Sequence, residues 1–245
     1  MHKQKEYRVS KCKHIDDALV GMTTYERTEY FCSTMVSLIT STPSLEWVVV
    51  HDDCSTGKQK RDLLSLIEAV SPCPKIIVET NTQNNGSFQN TRLLIQRIMG
   101  MTLAPYVVVC QDDIEFTAGW LTRADDTIGQ ICAETHDEIG ILSLVNFIQK
   151  TDKPYFKVTA GNPGGTCWVV GREAWGDYLT DNALCDYKVP KNYAGRHLSD
   201  YKICHWMKFL GKREWPIYCV GQSLVHHAGA KSTISKNSME KYVGY

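Results

Sequence analysis

Two adjacent carboxylates, Asp112 and Asp113, directly follow the apolar run Tyr106-Val107-Val108-Val109-Cys110-Gln111. A second pair, Asp52 and Asp53, follows Glu46-Trp47-Val48-Val49-Val50-His51. Carboxylates so placed can hold a hard divalent cation against the phosphates of a ligand, or they simply start a turn, as Asp often does after a strand. Further along, Gly164-Gly165 precedes Thr166-Cys167-Trp168, and paired glycines either let a backbone approach a ligand closely or make a plain turn. Ser199-Asp200 stands at the start of a helical pattern, where Asp is commonly an N-terminal cap or a partner of the helix dipole. His226-His227, just before Ala228-Gly229, is more specific than a lone histidine: it suits a metal shell or a structural role.

These residues need a frame that brings them together. Ala18 to Thr24 reads as a first strand. Tyr25 onward opens a helix with Phe31, Met35, Leu38 and Ile39 on one face. Strands at 46–51 and 75–80 and helices over 63–70 and 91–99 continue the alternation, up to the strand at 106–111. That run is apolar without interruption, as a strand buried on both faces of a parallel sheet must be. Alternation of this kind predicts an α/β fold with a mostly parallel central sheet flanked by helices. In such sheets ligands bind beyond the carboxyl ends of the strands, where both Asp pairs fall. After the centre, a helix from Gly119-Trp120, strands near 140–145, 166–170 and 216–220, and a helix over 197–210 with Ile203, Trp206, Met207 and Leu210 inward complete the chain. Neither G-x-G-x-x-G nor a Walker loop follows the first strand, which disfavours dinucleotide and P-loop nucleotide chemistry.

At 245 residues, 43% hydrophobic and 22% charged, the chain has the size and composition of one α/β domain with a substantial core. The ten cysteines are scattered without a C-x-x-C pair, which speaks against zinc and for a reducing compartment. The polar, basic start and the lack of a stretch of about 20 apolar residues point to a cytoplasmic protein. Net charge is zero, but residues 187–245 carry ten Lys and Arg against three Asp and Glu, and residues 1–14 carry five against one. Basic ends are usually solvated surface, and they can also neutralise ligand or nucleic-acid phosphates.

In order, Thr23-Thr24-x-x-Arg27, Asp52-Asp53-x-Ser55, Asn85-Gly86-x-x-x-Asn90-x-Arg92, Gln111-Asp112-Asp113, Pro163-Gly164-Gly165, Ser199-Asp200 and His226-His227-x-Gly229 resemble the motifs of inverting glycosyltransferases of the GT-A fold, specifically the large second family. Each piece is weak alone; the ordered set, spanning about Val20 to Ile234, is strong. The resemblance implies one GT-A domain over 1–245, with a basic arm at 1–15, a nucleotide-sugar half at 18–115 and an acceptor and catalytic half at 116–245. It implies that Thr23, Thr24, Tyr25 and Arg27 line the nucleotide pocket, that Asp52 and Asp53 lie near base and ribose, and that Asn85, Gly86 and Arg92 lie beside ribose and diphosphate. Gln111-Asp112-Asp113 matches an Asp-x-Asp motif with Gln111 in place of the first acid, which leaves Asp112 with the donor and Asp113 as metal ligand. His227 matches the late metal-binding histidine, and Asp200 the catalytic base, with Ser199 replacing its acidic neighbour. Gly164, Gly165 and Trp168 are expected at the acceptor, Trp168 stacking on it unless it is a core residue.

The implied reaction is metal-dependent transfer of a hexose or pentose from a nucleotide-diphosphate sugar to an acceptor hydroxyl, with inversion. A divalent ion stabilises the leaving diphosphate, and a positioned carboxylate deprotonates the acceptor. Oxygen-rich ligands call for Mn²⁺ or Mg²⁺, and a histidine favours Mn²⁺. The acceptor is expected to be a glycan, a lipid-linked sugar or another small molecule, bound by loops at 150–163 and 178–195. Two alternatives stand beside this reading: the same chemistry on a hydroxylated DNA base, which would have to be flipped out of the duplex, and a non-catalytic nucleotide-sugar binding module.

Overall fold

The computed structural model describes residues 14–70, 74–147, 151–159, 166–180, 199–210 and 213–228. Strands β1 (Ile15–Thr24), β2 (Trp47–Asp52), β3 (Lys75–Thr80) and β4 (Tyr106–Gln111) alternate with helices α1 (Thr28–Ser41), α2 (Gly57–Val70) and α3 (Gly86–Met99). They pair in the order β3-β2-β1-β4, every pair parallel. Parallel neighbours require long crossovers, and each of the three helices supplies one. β4 is buried at every residue except the half-buried Gln111, as its unbroken apolar run demands. β1 begins earlier than the pattern predicts, because the N–H groups of His14 and Ile15 both donate to Asp125 Oδ1, at 2.7 and 2.9 Å.

Beyond β4 the sheet becomes mixed. β8 (Cys167–Gly171) lies antiparallel to β4, and β6 (Ile141–Ser143) antiparallel to β8. β9 (Ile217–Val220) runs parallel to β6, and β7 (Tyr155–Lys157) closes the edge antiparallel to β9. The architecture is thus α/β with a mixed, largely parallel sheet between helices, in the order β3-β2-β1-β4-β8-β6-β9-β7. The remaining helices are α4 (Trp120–Thr135), α5 (Arg172–Thr180) and α6 (Ser199–His205). The last continues as a π-helical turn, Trp206–Leu210, which the sequence pattern reads as ordinary helix.

Strand alternation sorts the core into two layers. Val20, Met22, Val48, Val50, Val108 and Val169 meet Phe31, Met35 and Leu38 of α1 and Ile128 and Ile131 of α4. Leu19, Val49, Val107, Val109, Trp168 and Val170 meet Leu94, Ile95 and Ile98 of α3, together with Trp175, Ile203 and Trp206. Each such side chain contributes about 1.5–3 kcal/mol on burial, which clamps the sheet from both faces.

One element has no counterpart in the sequence reading. A two-stranded ribbon pairs β5 (Ile114–Phe116) with β10 (Val225–His227), antiparallel, matching Ile114 with His227 and Phe116 with Val225. It carries the late histidines to the carboxyl end of β4.

Candidate active site

The link between β4 and β5 is the two-residue turn Asp112-Asp113. Thr34 of α1 holds it from beneath: its hydroxyl donates to Asp112 O at 2.8 Å and accepts the Ile114 N–H at 3.0 Å. Ser37, one residue short of the next turn, accepts the Phe116 N–H at 3.1 Å. The sequence reading passed over both; the signal was a buried threonine inside the Phe31-Met35-Leu38 stripe.

Above the turn three segments converge. Asp112 accepts the Thr24 hydroxyl at 2.7 Å and faces Arg27 Nη1 at 3.2 Å. Asp113 Oδ2 takes Arg27 Nη2 at 2.6 Å and lies 3.2 Å from His227 Nε2. The Ala228 N–H donates to Asp113 O at 2.8 Å, extending the ribbon through the site. Both carboxylates are buried, Asp112 2% and Asp113 1% exposed. Burial pushes the Asp112 carboxyl up to about 7, although Arg27 and the Thr24 hydroxyl pull the other way. Burial acts likewise on Asp113, but the His227 and Arg27 contacts outweigh it and hold that carboxyl below its ordinary range. Negative charge therefore concentrates on Asp113, and Asp112 keeps a proton more readily.

Asp113 Oδ1 is buried with no hydrogen-bond partner. A buried carboxylate oxygen left unpaired is costly, and a cation seated beside Asp113 and His227 would offset that cost. The residues thus suit a divalent ion. Among the described residues, no group of three or more His, Cys, Asp and Glu side chains is gathered to hold a metal; Asp113 and His227 are a pair, with His226 exposed beside them.

The expected donor-side residues divide into two sets. Thr23 and Gln111 line a small pocket with Thr91, Val109, Cys110 and Trp168, at the carboxyl ends of β1 and β4. Thr24 and Arg27 are turned to the Asp112-Asp113 pair instead, and Tyr25 is half-buried at the same corner. Asp52 and Asp53, expected near base and ribose, are both hydrogen-bonded within the protein. Asp52 is fully buried, and its Oδ2 accepts the Ser55 N–H at 3.0 Å. Asp53 accepts Asn81 Nδ2 and the Asn85 N–H on Oδ1 and the Gly86 N–H on Oδ2, each at 2.8 Å. Short Asp side chains at a strand end reach neighbouring backbone N–H groups first, so Asp52 closes its own loop and Asp53 braces the loop that starts α3. Gly86 takes a left-handed φ of 78° there, which favours glycine. Asn90, absent from the expected set apart from its motif, locks to His51: its Oδ1 lies 2.6 Å from Nδ1, and its Nδ2 donates to His51 O at 2.9 Å. Arg92 is half-buried, its Nη1 3.4 Å from Gln89 Oε1.

On the acceptor side, Trp168 is a correction. It is 1% exposed in the layer under α3, paired with Val109 in the β4–β8 register, so its ring is a core element and offers no stacking face. Gly164 and Gly165 lie outside the described residues, as do residues 1–13 of the arm expected over 1–15. Ser199 and Asp200 open α6 as the sequence pattern predicts, but the side chain of Asp200 lies outside the described set. The first turns of α6 meet the start of α3, with Lys202 Nζ 4.7 Å from the Phe88 ring centre.

No protein-family model and no curated protein sequence matches this chain. Solved structures do match. The crystal structure of GalNAc-T7 with UDP, GalNAc and Mn²⁺ superposes with a TM-score of 0.57 at 16% identity, over 85% of this chain and 42% of that one. The shared architecture is the GT-A fold. The crystal structure of S. aureus TarS 1-349 gives 0.53 at 16% identity, over 86% of this chain and 60% of that one. The chain therefore spans less than two thirds of the length of either. Among the described residues no helix is long and apolar enough to cross a membrane.

Proposed function

We propose that this protein is a metal-dependent inverting glycosyltransferase that moves a sugar from a nucleotide-diphosphate donor to an acceptor hydroxyl. The observation that carries the reading is the meeting of Asp113, His227 and Arg27 at the carboxyl edge of a GT-A sheet, around a buried carboxylate oxygen without a partner. The UDP and Mn²⁺ in the GalNAc-T7 structure support a similar donor and cation here.

Asp113 and His227 would hold Mn²⁺, or Mg²⁺, and a hard ion with so few protein ligands leaves positions for donor phosphate oxygens and water. When bound, such an ion supplies Lewis-acid stabilisation of the charge that grows on the leaving diphosphate. Arg27, held by Asp112, adds a fixed positive charge on the same side. Thr23, Thr91 and Gln111 place hydroxyl and amide groups that both donate and accept beside the carboxyl ends of β1 and β4, a chemistry suited to a ribose edge. Asp200, at the start of a helix lodged against α3, takes the role of base for the acceptor hydroxyl.

A panel of nucleotide sugars tested by thermal shift with and without Mn²⁺ checks the reading. A true donor at about 100 times its dissociation constant adds about 2.7 kcal/mol. A protein unmoved by every nucleotide sugar with Mn²⁺ present refutes the proposal. With a donor in hand, Asp200→Asn should bind it normally while transfer falls by about 10²–10⁴; unaltered single-turnover transfer would leave Asp200 a helix cap only.

A further inference from the structure

The large apolar side chains left exposed among the described residues are Val36, Leu93, Leu103 and Phe147, and only the last is aromatic. Scattered exposed apolar residues need no explanation. Phe147 differs in where it stands and how it is held. Its ring lies 6.0 Å from the His227 imidazole, centre to centre and nearly perpendicular at 83°, and remains 42% exposed. The backbone beneath it is fixed at several points. The Leu224 N–H donates to Leu144 O at 2.9 Å, the Asn146 N–H to Ser223 Oγ at 2.9 Å, and Asn146 Nδ2 to Gly221 O at 2.6 Å. The same stretch, 221–224, runs into β10 and His227. One frame therefore positions both the candidate metal ligand and a partly exposed aromatic ring, the preorganisation a binding site requires.

We propose that Phe147 is the platform on which the acceptor stacks, and that the acceptor is a pyranose-containing glycan or glycoside. The inference rests on the glycosyl-transfer reading above. Phe147 follows β6, two places along the sheet from β4 and away from the β1 end where Thr23 and Gln111 lie, so a donor held beside β1 and the carboxylates leaves the Phe147 side to the acceptor. A pyranose presents one apolar C–H face and needs one flat partner; an aromatic ring gives it that surface with little rotamer entropy lost. A base flipped from a duplex is held between two faces. Trp168, the aromatic expected at the acceptor from the sequence, is buried in the core and supplies no second face.

The test compares the parent, Phe147→Ala and Phe147→Tyr, with Mn²⁺, the donor found in the thermal-shift panel, and methyl β-D-glucopyranoside, methyl β-D-galactopyranoside and a hydroxymethylated duplex DNA as acceptor probes. Phe147→Ala should raise the pyranoside KM about tenfold, equivalent to about 1.4 kcal/mol. The donor KM should move less than twofold, Mn²⁺ affinity by paramagnetic resonance should hold, and Phe147→Tyr should recover most of the loss. An unchanged pyranoside KM in Phe147→Ala overturns the proposal, as does a tyrosine variant no better than alanine or a larger rise in the donor KM. If the parent hydrolyses the donor yet transfers only to the DNA, or to neither pyranoside, this proposal falls and glycosyl-transfer chemistry stands. If the parent neither binds nor turns over any nucleotide sugar, both fall.

Discussion

Asp113→Asn isolates the charge at the centre of the site while keeping its shape. In the metal-free protein the carboxylate is 1% exposed, 2.6 Å from Arg27 Nη2 and 3.2 Å from His227 Nε2. Breaking a buried ion pair costs about 3–5 kcal/mol when the surviving charge is left alone. Arg27 is not left alone, because Asp112 stays 3.2 Å from its other nitrogen, and an asparagine oxygen still accepts a hydrogen bond. The loss should therefore shrink to about 1–2 kcal/mol. For a chain of this size that is a fall in Tm of roughly 2–8 °C. Mn²⁺ at about 100 times its dissociation constant should add about 2.7 kcal/mol to the parent and nothing to the variant, widening the gap to about 4 kcal/mol. Scanning calorimetry with and without MnCl₂, with free Mn²⁺ read by paramagnetic resonance, measures both parts. A variant that gains as much from Mn²⁺ as the parent refutes the assignment of Asp113 as ligand, whatever its metal-free stability.

Three further outcomes are expected. His227→Ala should lose Mn²⁺ affinity and His226→Ala keep it, because only the former side chain meets Asp113; the reverse pattern in a metal titration would exchange the two. In the metal-free protein Asp112 should titrate near 7 by side-chain carboxyl NMR. The folded state holds that proton more tightly than the unfolded chain does, so its stabilising contribution is complete below about pH 4 and lost as pH rises through about 7. Asp112→Asn should flatten this part of the decline in denaturant stability between pH 5 and 8, and a slope equal to the parent's would contradict it. Gly221→Ala should destabilise by about 1–3 kcal/mol or more by urea unfolding, since an added Cβ would lie 1.7 Å from Lys153 O; a variant as stable as the parent would show that the 153–154 segment yields freely.

Much of this protein follows from local pattern. The apolar runs 47–50 and 106–110 read as strands covered on both faces, and the helical stripe Phe31-Met35-Leu38 as facing a core, so β1 to β4 and their helices were legible in kind and order, although β1, α2 and α3 each begin several residues before their patterns. So was the placing of acids at strand ends, because the parallel topology puts successive carboxyl ends on one edge. What the pattern could not decide is which of those acids gather charged partners from distant parts of the chain. Asp52 and Asp53 carry the same local signature as Asp112 and Asp113, yet the former pair is taken up by N–H groups of its own loop and the start of α3. The latter pair draws on partners 85 to 114 residues away in sequence, Arg27 and His227. A three-residue strand such as β10 has too few residues for a periodic signal, and its pairing with β5, which brings His227 to Asp113, exists only once the sheet has formed. Trp168 shows the same limit from the other side: an indole after a Gly-Gly turn suits either a ligand or a core, and only the β4–β8 register, which seats it beside Val109 under α3, decides for the core.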